Sequence, residues 1–142
     1  AIWFLGENMK EVGWPMCGEI DLMEHVGNHQ DFIHFSLHSK TYNHMIGNQP
    51  TKVIELKTAT NEFIEYALEW DEDEIRFYTN KTLHAAFKKE KNADQAAWPF
   101  NKPFYLILNL AIGGTWGGWV DNSIFPVTFD IKSVKVYERS DV

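Results

Sequence analysis

A single cysteine, Cys17, stands in a chain of 142 residues. That scarcity excludes an intrachain disulfide, a thiolate zinc site and a dithiol redox pair. Positive charge is also scarce, with 13 lysines and arginines against 20 aspartates and glutamates and a net charge of −7. With no basic patch to meet phosphates, neither nucleic acid nor an anionic membrane is an expected partner, and uncharged or polyhydroxylated molecules suit the surface better. No apolar run is long enough to cross a bilayer as a helix. Sustained helical periodicity and internal repeats are missing as well, which argues against a bundle or a solenoid.

What the chain has is core material: 44% of its residues are hydrophobic and 15% aromatic, enough for one domain spanning 1–142, with no linker in it. Short, often alternating segments separated by turn residues make the expected class all-β. The expected strands are Ala1 to Leu5, Glu19 to His25, Phe32 to His38, Phe63 to Trp70, Glu74 to Thr79, Phe104 to Ala111 and Thr128 to Tyr137. Between them lie the loops TYNHMIGNQPT and the glycine-rich IGGTWGGW. HAAFKKEKNADQAAW has helical composition but is short, and reads as a loop with at most a few helical turns.

The stretch GEIDLMEHVG, 18–27, carries the chemistry. Glu19, Asp21 and Glu24 sit among Ile20, Leu22, Met23 and Val26, a strand-forming setting. Side chains alternate faces along a strand, so Glu19 and Asp21 share a face and Glu24, five residues after Glu19, points to the other. One extra residue, a β-bulge at Leu22 or Met23, returns Glu24 to the face of its fellow acids. Two carboxyl groups about 5–5.5 Å apart are the arrangement of a retaining glycosidase, in which one attacks the anomeric carbon and the other protonates the departing oxygen. Glu19 and Glu24 are the candidate pair. Asp21, between them, raises the cost of ionising its neighbours and offers a hydrogen bond to the nucleophile.

Aromatic residues supply a second signal, because sugar rings present flat C–H faces that pack on indole planes. Trp14 precedes the acids by one short loop, Trp116 and Trp119 lie in the glycine-rich loop, and Trp3 lies on the first strand; these four are candidate sugar platforms. Trp70 and Trp98 read as structural. His34, Ser36 and His38 share one strand face, and beside the acid strand His38 would reach the acid/base or a sugar hydroxyl. Asn109, the sole amide in FYLILNLAIGG, must find polar partners, which a cleft would supply. His25 and His29 lack the helical H-E-x-x-H context and His84 is isolated, so no catalytic zinc is expected and catalysis needs no cofactor.

GEIDLMEHVG resembles the signature of glycoside hydrolase family 16, and its additional Met23 matches the bulged form shared by laminarinases, agarases and carrageenases rather than the unbulged form of lichenases. AIWFLGEN, GWPMCGEID, FSLHS, YALEWDEDEIRFYTN, PFYLILNLAIGGTWGG and FDIKSVKVYE resemble laminarinase segments in the same order, over nearly the whole chain. The resemblance implies a β-jelly-roll of two curved antiparallel sheets, acids on the concave one, and retaining endo-hydrolysis of β-1,3-glucan, with mixed β-1,3/1,4-glucan as a further substrate and a secreted location. It implies Glu19 as nucleophile, Asp21 as its assisting acid and Glu24 as general acid/base. It supports Trp14 and Trp116 as platforms, His38 through a Thr-x-His motif, and Asp130 as one ligand of a structural calcium. A galactan hydrolase of agarase or carrageenase kind is the alternative within the family, disfavoured for sulfated substrates by the acidic chain; a glucan-binding module without catalysis is the alternative outside it, disfavoured by the presence of both Glu19 and Glu24. YTNKT departs from the Tyr-Val-Asp-Gly turn of many relatives.

AIWFLGEN begins apolar, with no cap or polar lead-in, as a chain does when cut inside an element. The expectation is that N-terminal strands of the domain lie outside these residues. On that basis Ala1 to Leu5 is expected to pair with polypeptide beyond the chain, either an N-terminal segment of the same protein or a partner chain.

Overall fold

A computed structural model describes residues 1–140. Among these described residues eight strands form two antiparallel sheets, with helical structure confined to two single turns, α1 (Met9–Val12) and α2 (Gly114–Gly117), and two short 3-10 turns. The larger sheet contains β1 (Ile2–Gly6), β2 (Glu19–His25), β3 (Phe32–His38), β4 (Thr51–Glu55) and β8 (Phe104–Leu108), in the order β4-β3-β2-β1-β8. The smaller contains β5 (Tyr66–Trp70), β6 (Glu74–Thr79) and β7 (Thr82–Lys88), in chain order.

Alternation decides which face is which. On β3, Ile33, Phe35 and Leu37 are buried in the core, while His34, Ser36 and His38 occupy the other face. On β6, Ile75 and Phe77 are buried and Arg76 and Tyr78 face away. The two apolar faces meet: Phe35 and Phe77 have ring centroids 5.5 Å apart, and Ile20, Leu22, Met23, Trp98 and Phe100 complete the core. The larger sheet thereby turns its polar face outward, and the acids lie on it. β6 and β7 are joined by the two residues Asn80 and Lys81, both at positive φ, the hairpin geometry that matches strand twist. The unusual YTNKT is therefore an ordinary tight turn.

Several expectations need correction. HAAFK is not a loop with helical turns: it belongs to β7, where Ala85 and Phe87 pack on the core and the ladder to β6 outweighs the helical leaning of Ala and Lys. β4 lies at the end of a stretch read as loop and is the mostly exposed edge of the sheet, which leaves little apolar pattern to see. The strand expected over 63–70 begins at Tyr66, and that over 104–111 ends at Leu108. Thr128 to Tyr137 alternates as a strand should but forms none among the described residues, and Val134, Val136 and Tyr137 are exposed. The first strand does not look outside the chain for a partner. β1 is held on one edge by β2 and on the other by β8, with Ile2 opposite Leu108 and Phe4 opposite Leu106, so both its rows of backbone groups are satisfied internally.

Candidate active site

Cross-strand register sorts the outward face into rows. His38, Glu19, Leu5 and Tyr105 form one; Thr51, Ser36, Asp21, Trp3 and Ile107 form the next; Val53, His34 and Glu24 form the third. Asp21 faces Ser36 and Glu24 faces His34, so three residues of β2 advance against two of β3. This is the expected bulge, and Leu22 and Met23 within it are both buried in the apolar core. Glu24 thus joins Glu19 and Asp21 on one face.

The acids are tightly furnished. Trp14 Nε1 donates to Glu19 Oε2 at 2.8 Å, and Ser36 Oγ donates to Glu24 Oε2 at 3.4 Å. His38 Nε2 lies 3.1 Å from Asp21 Oδ2 and 3.8 Å from Glu19 Oε1, so this histidine serves the Glu19 end of the site rather than Glu24. Asp21 is only 2% exposed, and neither its Oδ2 nor His38 Nδ1 has an aligned hydrogen bond. The contact of Asp21 with His38 is therefore one of proximity. A buried carboxylate so placed is costly as an anion and is relieved by holding a proton.

Electrostatics follow from that burial. Desolvation, then the charge of Asp21, pushes Glu19 up to about 8, although His38 and the Trp14 hydrogen bond work the other way. Asp21 is raised well above the usual carboxylate range by burial first and the charge of Glu24 second. Burial also raises Glu24, against the influence of His38. His38 is shifted down by burial despite the two glutamates, which keeps its ring neutral near pH 7. The cluster holds fewer negative charges than it has carboxyl groups.

Aromatic side chains flank this cluster at both ends. Trp14 packs between His38, 6.0 Å away, and His44, 4.9 Å away. At the other end, Trp116 meets His34 edge-on at 5.0 Å, and Asn28 Nδ2 donates to the Trp116 carbonyl at 3.0 Å. Trp3 lies opposite Asp21 across the ladder, and its Nε1 donates to Asn109 Oδ1 at 2.8 Å, which supplies the amide with a partner on this face. Trp119 is 102% exposed and makes no ring contact among the described residues, so it is not drawn to the acids. Trp70 and Trp98 spend their indole N–H groups on the carbonyls of Phe100 and Glu72. His44 had no signal in the sequence beyond its place in a loop, since no strand or helix period points it anywhere.

Asp130 is exposed and accepts a hydrogen bond from the Thr128 hydroxyl at 3.4 Å. Among the described residues the one cluster with three candidate ligand side chains is Glu19, Asp21 and His38, within 4.8 Å of one another, and Asp130 has no part in it.

Similar arrangements of chain occur elsewhere. The sequence is 42% identical over 145 residues to a beta-glucanase of Rhodothermus marinus, covering 96% of this chain and 51% of that one. It is 35% identical to a keratan-sulfate endo-1,4-beta-galactosidase of Sphingobacterium multivorum, covering 97% of this chain and 32% of that one. The fold superimposes on the laminarinase of Flavobacterium sp. UMI-01 with a TM-score of 0.82 at 41% identity, over 89% of this chain and 54% of the other, and shares its jelly-roll of two antiparallel sheets. The chain thus spans about half the length of these glucan-hydrolase relatives. Residues 1–125 match the family model described as glycosyl hydrolases family 16, and with the bulged acid strand lying inside that span the chain belongs to this family.

Proposed function

We propose that the chain carries the catalytic strand of a secreted, retaining endo-hydrolase of β-1,3-glucan, with mixed β-1,3/1,4-glucan as a second substrate. The observation that carries this reading is the bulge that sets Glu24 on the face of Glu19, with Asp21 between them. The relatives named as beta-glucanase and laminarinase support the glucan substrate.

In this reading Glu19 attacks the anomeric carbon while Glu24 protonates the glycosidic oxygen, and the bond to the departing sugar breaks as the bond to Glu19 forms. Water, deprotonated by Glu24, then displaces Glu19 and restores the original anomeric configuration. Asp21 has the deepest burial and lies beside Glu19, which holds the proton in the resting site; passage of that proton to Asp21 frees the Glu19 anion to attack. The Trp14 hydrogen bond holds the Glu19 carboxyl in orientation and leaves Glu24 free to carry the proton that the leaving group needs.

Two measurements on the protein test this. Proton NMR of fresh laminarin digests should show the β-anomer first, with mutarotation following; an initial α-anomer would mean inversion. A 2-deoxy-2-fluoro laminaribiosyl substrate with an activated leaving group should label Glu19, read by peptide mass spectrometry, and labelling elsewhere would reassign the nucleophile. The galactan alternative draws on the keratan-sulfate relative, and comparison of agarose with laminarin and lichenan as substrates discriminates it. Binding to laminarin without release of reducing ends would favour the module reading.

A further inference from the structure

The loop between β3 and β4 is built around a buried amide. Asn43, 5% exposed, donates from Nδ2 to the carbonyls of Ser39 at 3.1 Å and Lys40 at 3.2 Å, and its Oδ1 accepts from the Met45 N–H at 3.1 Å. Its own N–H donates to Asn48 Oδ1 at 3.0 Å, and Asn48 Nδ2 donates onward to the Thr41 carbonyl at 3.0 Å. Thr41 N–H is in turn tied to the Ala96 carbonyl at 2.9 Å. So many bonds through one side chain fix the loop's shape, and a fixed loop holds its neighbours in place.

The residue next to Asn43 is His44, which is exposed yet not free. Its ring lies 4.9 Å from that of Trp14, inclined at 33°, and 5.2 Å from His38, nearly perpendicular at 84°. Trp14 needs such support, since it stands on the loop between α1 and β2 rather than on the sheet, and its N–H has Glu19 Oε2 as its partner. His38 packs against the indole from β3, and His44 packs against it from the loop.

We propose that His44 is a positioning residue: held by the Asn43-centred loop, it stacks on Trp14 and keeps the indole N–H aimed at Glu19. This rests on the reading of Glu19 as nucleophile given above. Removing the His44 ring frees the indole to turn, and Glu19 then loses a donor that favours its anion, with Asp21, Glu24 and His38 still facing it. The loss falls on the chemical step rather than on substrate affinity.

The test combines a spectroscopic readout with kinetics in His44→Ala and His44→Phe. The six tryptophans give separate indole N–H resonances, and a Trp14→Phe variant assigns that of Trp14. In His44→Ala the Trp14 indole proton should move upfield and broaden, and its pH midpoint should rise. On laminarin kcat should fall about tenfold while KM stays within about twofold. His44→Phe, which restores a ring without titratable nitrogens, should recover both the resonance and the rate. An unchanged Trp14 resonance with unchanged kcat in His44→Ala overturns the proposal, and so does a raised KM with kcat and resonance intact, which would make His44 a substrate contact. The other five indole signals report folding; if His44→Ala fails to fold, a displaced Trp14 resonance in folded His44→Phe overturns the proposal instead. Wild-type protein without action on laminarin would sink the functional reading, and the resonance would still decide the packing.

Discussion

Ser36 Oγ lies 3.4 Å from Glu24 Oε2, although the ladder pairs Ser36 with Asp21. A hydroxyl opposite one acid reaches the next because the bulge carries Leu22 and Met23 together into the core and turns Glu24 back outward. Ser36 also lies 3.0 Å from Thr51 Oγ1, which donates to the Phe35 carbonyl, so the edge strand β4 braces the same group. The acid strand is thereby fastened to its neighbours at the one point where the ladder is irregular.

The bulge predicts two deletion phenotypes. Without Met23, Glu24 follows Glu19 by an even number of residues, and ordinary alternation keeps the acids on one face. This variant should retain hydrolysis of laminarin while losing about 2–5 kcal/mol of stability with a buried side chain. Deleting Leu22 as well makes the spacing odd and sends Glu24 into the core, which should abolish activity. Reducing-sugar assays beside thermal unfolding curves distinguish lost geometry from lost folding.

The two glutamates should fail differently. Glu19→Ser should eliminate hydrolysis and leave glucan binding measurable by affinity electrophoresis. Glu24→Ala should regain rate on aryl glycosides whose leaving groups need no proton, and azide should then give a glycosyl azide of retained configuration. An inverted azide from the Glu24 variant would exchange the two roles.

Much of this site was legible because a strand is a ruler. Once Glu19, Asp21 and Glu24 are read at period two, the only way to bring them together is an extra residue, and the ladder contains it. Trp14, Trp3, Asn109 and His38, singled out as large or polar groups near an acid strand, all lie on its outward side: Trp14 donates to Glu19, Trp3 to Asn109, and His38 lies beside Asp21. Loop geometry was not legible. His44 reaches Trp14 through a network centred on a side chain four residues beyond Ser39, and nothing in TYNHMIGNQPT marks that path. β7 was hidden by Ala and Lys, whose local leaning is overridden by pairing with β6, and β1 was expected to pair with polypeptide beyond the chain because the return of β8 to its flank is a long-range event.

Gly18, the residue before Glu19, should tolerate no side chain. Its φ is +81°, and a Cβ there would lie 2.7 Å from Pro99 Cγ and 2.9 Å from Phe104 Cζ. Gly18→Ala combines left-handed strain with a clash against two apolar rings, for a cost of roughly 2 kcal/mol or more. A lowered Tm is expected, together with reduced activity because the entry of β2 carries Glu19; wild-type values for both would show that the 98–104 segment yields freely.

Stability should depend on pH through Glu19. Its folded-state value of about 8 lies above the ordinary 4.5, so between those limits the native protein retains a proton that the unfolded chain releases. Stability from this group is fully present below about 4.5 and is lost as pH rises through about 8, the reverse of a salt-bridged carboxylate. Glu19→Gln replaces the protonated form with a neutral isostere and removes the penalty. The variant should match wild type near pH 5 and exceed it at pH 8 by on the order of 2–4 kcal/mol, seen as a Tm difference that widens with pH. His38, held neutral by burial, acts in the opposite sense on acidification, and because the Glu19 charge is among the influences that raise it, a parallel pair in the His38→Gln background isolates the Glu19 contribution. Parallel Tm curves for the two proteins from pH 5 to 8 would place the retained proton on Asp21 or Glu24 instead, and the corresponding Asn and Gln variants would then show which.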